Sequence, residues 1–147
     1  MVILIDTNIL LDFFLHREPG YLTCKAVIDY CVENHGKGYV AFHSIPTIFY
    51  VLRKYADLDK RKSILKDICS ILTVTGANHE DVVEAIDRED FSDFEDCLQM
   101  YCAKGIDADY IVTNNIRDYS GSDIPAITSE QMVEMIREQG AEDDIEE

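Results

Sequence analysis

Acidic side chains follow two predicted strands of this chain and open a later helix. Asp6 comes directly after the apolar run 2–5, and Asp118 lies in the loop after a second apolar run. Asp93 and Asp96 are three residues apart at a helix start, so they share one helix face. Converging carboxylates repel one another unless a cation compensates them, and Mg²⁺ and Mn²⁺ prefer oxygen ligands. The pattern is therefore typical of a metal site that acts on phosphate esters.

Each of these acids also has an ordinary structural interpretation. Asp6 and Asp93 have the residue type and position of helix N-caps, and Asp118 taken alone is an unremarkable loop acid. Glu95 is expected to point away from Asp93 and Asp96, as a solvated first-turn acid that favours the helix dipole. The joint placement of the acids, after two strands and at one helix start, is what favours the metal site.

Short apolar runs alternate with amphipathic segments, which predicts the elements that position these acids. Strands are predicted at 2–5, 38–42, 71–75 and 109–113, with 126–127 as a short edge strand. Helices are predicted at about 8–15, 44–55, 59–70, 79–88, 94–103 and 128–139, and an amphipathic pattern after Gly20 stops near Gly36. Strands separated by such helices imply a parallel, three-layer α/β/α sheet of four to five strands, with working residues at the carboxyl ends of the strands.

Length and composition indicate one folded domain with an acidic end. The chain has 147 residues, 47% apolar and 29% charged, which excludes a collagen-like or disordered chain and predicts a single domain over 1–139. Residues 140–147 hold five acids and are predicted to form a disordered tail. No apolar run could span a bilayer, and the N-terminus does not resemble a signal peptide. We therefore expect a soluble, cytoplasmic protein with no membrane partner.

Five segments carry a resemblance to a known family. They are VILIDTNILLDFFLHREP at 2–19, HSIPTIFYVLRK at 43–54, DFEDCLQMYCA at 93–103, DYIVTNNIRDY at 109–119 and IPAITSEQ at 124–131. In this order and spacing they resemble the PIN domain family, in particular small prokaryotic PIN-like proteins related to VapC-type toxins. The similarity runs from Val2 to about Ile136. It implies a Rossmann-like α/β/α PIN fold and a ribonuclease that depends on Mg²⁺ or Mn²⁺.

The resemblance assigns roles to particular residues. Asp6, Asp96 and Asp118 match the family's catalytic acids, and Asp93 is an additional acid that would bind the metal with them. The polar residues that would orient ligands or water are Thr7, Asn8, Thr113 and Asn115.

Two positions depart from the family's pattern. Tyr50 stands where many PIN domains have a Glu, and Asn115 stands where the loop after the fourth strand usually has an Asp. The leading hypothesis is a metal-dependent endoribonuclease, as the toxin of a toxin–antitoxin pair. The alternative is a catalytically weak or inactive PIN-like module that binds RNA or a protein partner.

Six of the 13 cationic residues fall between 53 and 66, in a chain whose net charge is −16. Candidates for binding an RNA backbone are Arg53, Lys54, Arg61 and Lys62. Arg117 would contact the scissile phosphate or simply pair with a carboxylate. An equally weighted alternative for the cluster is a solvated helix face that is balanced by Asp57, Asp59 and Asp67.

The resemblance also implies partners, while the motifs exclude other enzyme classes. Toxin-type relatives are held by a small antitoxin protein, and a homodimer is a second expectation. A haloacid dehalogenase-like phosphatase needs a second Asp two residues after the first, where this chain has Asn8. A receiver domain needs an adjacent acid pair at the first strand, and Gly-rich nucleotide-binding loops are absent from the sequence.

Overall fold

A computed structural model of the chain describes residues 1–146. The strands of this part are β1 (Ile3–Ile5), β2 (Gly38–Ala41), β3 (Thr73–Thr75), β4 (Tyr110–Val112) and β5 (Ala126–Ile127). They form one sheet in the order β3-β2-β1-β4-β5, and every neighbouring pair is parallel. The predicted parallel α/β sheet is therefore confirmed.

Within the described residues, seven α-helices cover the two faces of the sheet. They are α1 (Thr7–Phe14), α2 (Tyr21–Glu33), α3 (Ser44–Leu52), α4 (Leu58–Ile71), α5 (His79–Asp87), α6 (Phe94–Gly105) and α7 (Ser129–Glu146). On one face, α1 to α4 and α7 pack with Ile3, Ile5 and Val40. On the other, α5 and α6 pack with Leu4 and Ile111. Strand side chains alternate between two apolar cores because both faces of the sheet are covered.

The carboxyl ends of β1 and β4 lie side by side where the strand order reverses. Ile5 pairs with Val112 in the parallel ladder, so the residues that follow, Asp6 and Thr113, are neighbours at one edge. From β1 the sheet extends to β2 and β3 on one side and to β4 and β5 on the other. A crevice forms outside the carboxyl ends of the strands at such a switch point, and ligands bind there in open α/β sheets.

Several predicted element boundaries differ in the structure, and α3, for example, ends at Leu52 and not near Tyr55. Ile71 belongs to α4, and β3 begins only at Thr73, because Ile71 continues the apolar helix face that carries Ile64 and Ile68. The segment after β4, predicted as a loop, contains a 3₁₀ helix (Ile116–Tyr119) that buries Tyr119. This short helix carries one of the predicted site acids.

The last helix is longer than predicted. It was expected to end near Gln139 before a disordered tail, but α7 continues to Glu146. Glu, Gln and Ala are good helix formers, and the single Gly140 costs only about 1 kcal/mol in a helix interior. Glu147, the last residue of the predicted tail, lies outside the described residues. Among the helices at 1–146, none is both long and apolar enough to cross a bilayer.

Candidate active site

Asp6 is buried at the end of β1, with 6% of its surface exposed. One carboxylate oxygen accepts a hydrogen bond from the backbone N–H of Thr7 at 2.7 Å, which caps α1. The other oxygen accepts from the Thr113 hydroxyl at 2.8 Å and from Asn8 Nδ2 at 3.4 Å. The apolar strand Ile3–Ile5 is thus followed by a residue whose side chain pairs with the first amide of α1 and whose carboxylate is held in one orientation.

Thr113 joins the loop after β4 to Asp6. Its buried hydroxyl donates to Asp6 and accepts from the backbone N–H of Asn115 at 3.0 Å. Asn8 Oδ1 accepts from the backbone N–H of Asn114 at 3.4 Å. Polar residues predicted to orient ligands therefore connect the two loops that follow β1 and β4.

Asp93 and Asp96 form the first turn of α6. Asp93 caps the helix, because its Oδ1 accepts from the backbone N–H of Asp96 at 3.1 Å. Asp96 is half-buried, and the Tyr119 hydroxyl donates to its Oδ1 at 3.4 Å. Glu95, expected to point away from Asp93 and Asp96, lines the same pocket as they do, because the lining takes in three residues of the helix start.

One pocket of roughly 260 Å³ collects these groups at the carboxyl edge of the sheet. Its lining includes all four acids predicted for the metal site, Asp6, Asp93, Asp96 and Asp118. Of the four residues predicted to orient ligands or water, Thr7, Asn8 and Asn115 line the pocket. Thr113 is not in the lining and contacts Asp6 through its hydroxyl. The structure therefore brings together acids from the start of α1, the start of α6 and the 3₁₀ helix.

Burial and mutual repulsion disfavour negative charge in this pocket. Burial is the main cause that raises the pKa of Asp96 to about 7, and the charges of Asp6, Asp93 and Asp118 add to it. Burial also raises the pKa of Asp6, although the hydrogen bonds from Thr113 and Thr7 oppose that effect. Protons or a bound cation would relieve this repulsion.

The donor set fits a hydrated divalent cation. Every charged side chain that lines the pocket is a carboxylate, the ligand type that Mg²⁺ and Mn²⁺ prefer. Within residues 1–146, however, no three Asp, Glu, His or Cys side chains converge closely enough to hold an ion by themselves. Mg²⁺ usually keeps several waters and binds through one or two carboxylates. Asp6, which is buried, and Asp96, which is half-buried, could provide them.

Three polar side chains around the pocket were not predicted from the sequence. Ser44 Oγ accepts from the Thr7 hydroxyl at 2.8 Å and from Gln99 Nε2 at 2.7 Å. Tyr119 is buried beside Asp96, and burial raises the pKa of its hydroxyl. The spacing of Gln99, three residues after Asp96, was a usable signal, whereas Ser44 depends on how α1, α3 and α6 pack together.

Two predicted positions, Tyr50 and Arg117, lie outside the lining of the pocket, and a third, Asn115, belongs to it. Tyr50 is 62% exposed on α3, and Thr47, one turn earlier, is the α3 residue that lines the pocket. Asn115 brings a neutral amide to the lining. Arg117 is exposed and forms no ion pair with Asp118 or with any other described acid.

The predicted RNA-binding cations lie outside the pocket, on α4 and at the end of α3. The Arg53 guanidinium lies 3.5 Å from the centre of the Tyr50 ring, and that of Arg61 lies 4.5 Å from the centre of the Phe49 ring. In the part of the chain that the structure describes, none of the six cations at 53–66 forms an ion pair. The nearby acids that do not pair with them are Asp57, Asp59 and Asp67.

Comparisons with known proteins agree with this architecture. A family model described as a PIN domain matches residues 2–117. VapBC2 from Rickettsia felis, solved bound to a DNA fragment from its promoter, is 17% identical with a TM-score of 0.61, over 87% of this chain and 98% of that chain. PAE2754 from Pyrobaculum aerophilum is 19% identical with a TM-score of 0.66, over 93% and 96%. A toxin–antitoxin complex from Klebsiella pneumoniae is 20% identical with a TM-score of 0.63, over 86% and 96%.

At these identities the solved structures establish a shared fold, and among curated proteins no significant match was found. The family model spans most of the chain, including Asp6, Asp93 and Asp96. It confirms the resemblance that the five motifs indicated. The chain belongs to the PIN domain family.

Proposed function

We propose that this chain is an endoribonuclease that depends on Mg²⁺ or Mn²⁺. PIN domains are generally nucleases that use divalent metals, and the acids proposed to be catalytic are Asp6, Asp96 and Asp118, with Asp93 as a further metal ligand. The observation that carries the proposal is the convergence of these acids in one pocket, where burial and repulsion raise the pKa of Asp96 to about 7. A bound cation relieves that repulsion and presents positive charge to a phosphate in an acidic protein.

The residues of the chain would hold the reacting groups in place. When bound, Mg²⁺ or Mn²⁺ would supply charge to the phosphate and lower the pKa of a water for in-line attack. Asp6 is held for this role by the hydrogen bonds from Thr113 and from the amide of Thr7. Asp96 is held by the Tyr119 hydroxyl. The carboxylates are therefore oriented before substrate arrives, which lowers the reorganisation needed during reaction.

The RNA backbone would follow the basic surface of α3 and α4. Tyr50 lies three residues after Thr47 on α3, so the stacked Tyr50 and Arg53 lie one to two turns from the pocket. Among the residues that the structure describes, the cations of this surface that form no ion pair include Arg53, Lys54, Arg61 and Lys62. Arg117, next to Asp118 in the chain, is a further cation without an ion pair to a described acid. Because no described acid neutralises these cations in an ion pair, their charges would attract the phosphates of the RNA.

Cleavage of a single-stranded RNA tests the proposal directly. The wild-type protein should cleave it with Mn²⁺ or Mg²⁺ and not with EDTA, and DNA of the same sequence tests the choice of RNA. Asp6→Asn should lower the rate by about 100-fold or more, because the variant loses a charged ligand. Asp29→Asn, which changes an exposed acid paired with Lys25 on α2, is the matched control. Equal activity of wild type and Asp6→Asn would refute the site.

A second candidate function is a catalytically weak or inactive PIN module that binds RNA or a protein. Two observations favour it: Tyr50 brings no acid from α3, and Asn115 brings a neutral amide to the pocket. Such a module would bind RNA without metal-dependent turnover over a range of RNAs. Measured cleavage that requires Asp6 would exclude it.

We also propose a small antitoxin protein as partner, so that the chain would be the toxin of a pair. The support is structural similarity to a toxin–antitoxin complex from Klebsiella pneumoniae together with the charge of the pocket. An Arg side chain of a partner would pair with these carboxylates in a bidentate manner. A homodimer is a separate expectation, which mass measurement of the isolated protein in solution tests.

A further inference from the structure

Gln99 is buried with an unpaired acceptor. Its side chain lies on α6 with 2% of the residue exposed, and its carbonyl oxygen Oε1 has no hydrogen-bond partner. Among the buried side-chain atoms of residues 1–146, it is the one polar atom without a partner. A buried acceptor left unpaired destabilises a fold, so its presence calls for a bound donor.

The amide of Gln99 is held by its amino end, and the residue lines the acidic pocket. Its Nε2 donates to Ser44 Oγ at 2.7 Å and to Thr7 Oγ1 at 3.3 Å, which ties the amide to α3 and α1. Gln99 follows Asp96 by three residues on α6 and lines the pocket together with Asp6 and Asp96. With the amino end held, the carbonyl oxygen is the unpaired end of a side chain that borders the pocket.

The carboxylates of this pocket are hydrogen-bond acceptors, and they need hydrogen-bond donors or cations as partners. The carboxylates of Asp6, Asp96 and Asp118 accept hydrogen bonds or bind cations, as the carbonyl of Gln99 does. Water bound to a divalent cation uses its oxygen for the metal and turns both hydrogens outward. Because Mg²⁺ keeps several such waters, a hydrated ion satisfies direct ligands and more distant acceptors together.

We propose that Gln99 Oε1 accepts a hydrogen bond from a water bound to the cation, and so positions the hydrated ion against Asp6 and Asp96. The inference rests on the cation site of the proposed function and adds a residue to it. Gln99 acts through the water, so it is a positioning residue. It lies beside Ser44 on α3, the helix that supplies no acid to the pocket.

The test is Mn²⁺ affinity, measured by calorimetry and by electron paramagnetic resonance without RNA. Gln99→Met removes the acceptor at similar volume and should weaken Mn²⁺ binding about 10-fold or more, the usual effect of losing such a partner. Gln99→Glu keeps the oxygen and adds a charge, so it should bind Mn²⁺ about 10-fold more tightly than wild type. Gln139→Met, an exposed change on α7, is the control and should not alter the affinity.

A purely structural role gives a different result. If Gln99 only supports packing, Gln99→Met and Gln99→Glu unfold at lower temperature without metal but bind Mn²⁺ as wild type does, which overturns the inference and leaves the nuclease proposal intact. If Gln99→Met fails to fold, Gln99→Glu decides, and an affinity equal to or weaker than that of wild type overturns the inference. Absence of Mn²⁺ binding by the wild-type protein refutes the cation site itself, and with it the proposed function.

Discussion

At the scale of single residues, Asp96 is a group whose charge destabilises the metal-free fold. Its pKa is raised from 3.8 to about 7, first by burial and then by Asp6, Asp93 and Asp118. Folding therefore takes up a proton between these two values, and stability falls as pH rises from about 4 to about 7. A cation-binding function would explain why the fold keeps an acid whose charge lowers its stability.

Asp96→Asn should therefore stabilise the metal-free protein above pH 7. At pH 8 in EDTA we expect a gain of about 1 to 2 kcal/mol after allowance for solvent screening, and near pH 4 we expect no gain. Urea unfolding at both pH values measures it. The matched control is Asp59→Asn, an exposed acid on α4, which should change stability little at either pH. A loss of stability at pH 8 on Asp96→Asn would contradict the account.

The acids of the site could be predicted from the sequence because strand ends and helix starts fix where they lie. Asp6 and Asp118 follow strands, and Asp93 and Asp96 share a helix turn. Assigning strands and helices from the local sequence is therefore enough to place these acids. The spacing of Gln99 places it on the helix face of Asp96, but its hydrogen bonds could not be recognised in the same way. Its role depends on hydrogen bonds to residues on α1 and α3, 92 and 55 positions away in the chain.

At the scale of elements, an ion-pair network fixes the loops beside the pocket. Arg88, after α5, donates to both carboxylate oxygens of Asp90 at 2.7 and 2.8 Å, to Asp123 at 2.9 Å and to the carbonyl oxygen of Gly121 at 2.8 Å. This network connects the segment that leads to Asp93 with the segment that follows the 3₁₀ helix. The two segments that adjoin the site acids Asp93 and Asp118 are thereby held together.

Gly121→Ala should loosen this connection. A Cβ at Gly121 would lie 2.5 Å from the carbonyl oxygen of Asp90, so one of the two segments must move. We expect a loss of about 1 to 3 kcal/mol in the free energy of unfolding, together with weaker Mn²⁺ binding. Chemical denaturation and calorimetry measure the two effects.

Gly140→Ala is the matched glycine control, because a Cβ there meets nothing within 4 Å and the residue lies inside α7. This change should leave Mn²⁺ binding unaltered and raise stability by up to about 1 kcal/mol. Wild-type stability and Mn²⁺ affinity in Gly121→Ala would contradict the proposed role of the close contact.

The order of elements could be predicted from hydrophobic periodicity, but some of their ends could not. The boundary at Ile71 was predicted wrongly because an apolar side chain suits a buried helix face and a strand equally well. The 3₁₀ helix was missed because its four residues carry no period of their own and are held by the burial of Tyr119. The end of α7 was missed because an acidic composition favours both a solvated helix and a disordered tail.

At the scale of the whole molecule, the net charge of −16 makes RNA binding depend on a small basic surface. Long-range repulsion opposes association with a polyanion, so the unpaired cations at 53–66 and the bound metal would have to supply the attraction. An acidic protein with one small basic surface should bind RNA with an affinity that depends on salt and on a few cationic residues.

The double variant Arg53→Ala and Arg61→Ala should weaken binding of single-stranded RNA about 10-fold. It should also reduce the slope of log affinity against log salt by about 1.4, which is 0.7 for each lost phosphate contact. Fluorescence anisotropy over a salt series measures both. The charge-matched control is Lys37→Ala with Arg137→Ala, exposed cations away from α3 and α4. An equal effect of the two double variants would contradict a localised RNA surface.

The central claim is that the pocket of Asp6, Asp93, Asp96 and Asp118 is a divalent cation site. Its most direct test is a calorimetric titration of Mn²⁺ into the wild-type protein and into Asp6→Asn at neutral pH. We predict saturable binding by the wild-type protein that disappears in the variant, with both proteins folded by circular dichroism. No binding at millimolar Mn²⁺ by the folded wild-type protein, or equal binding by both proteins, would contradict the account.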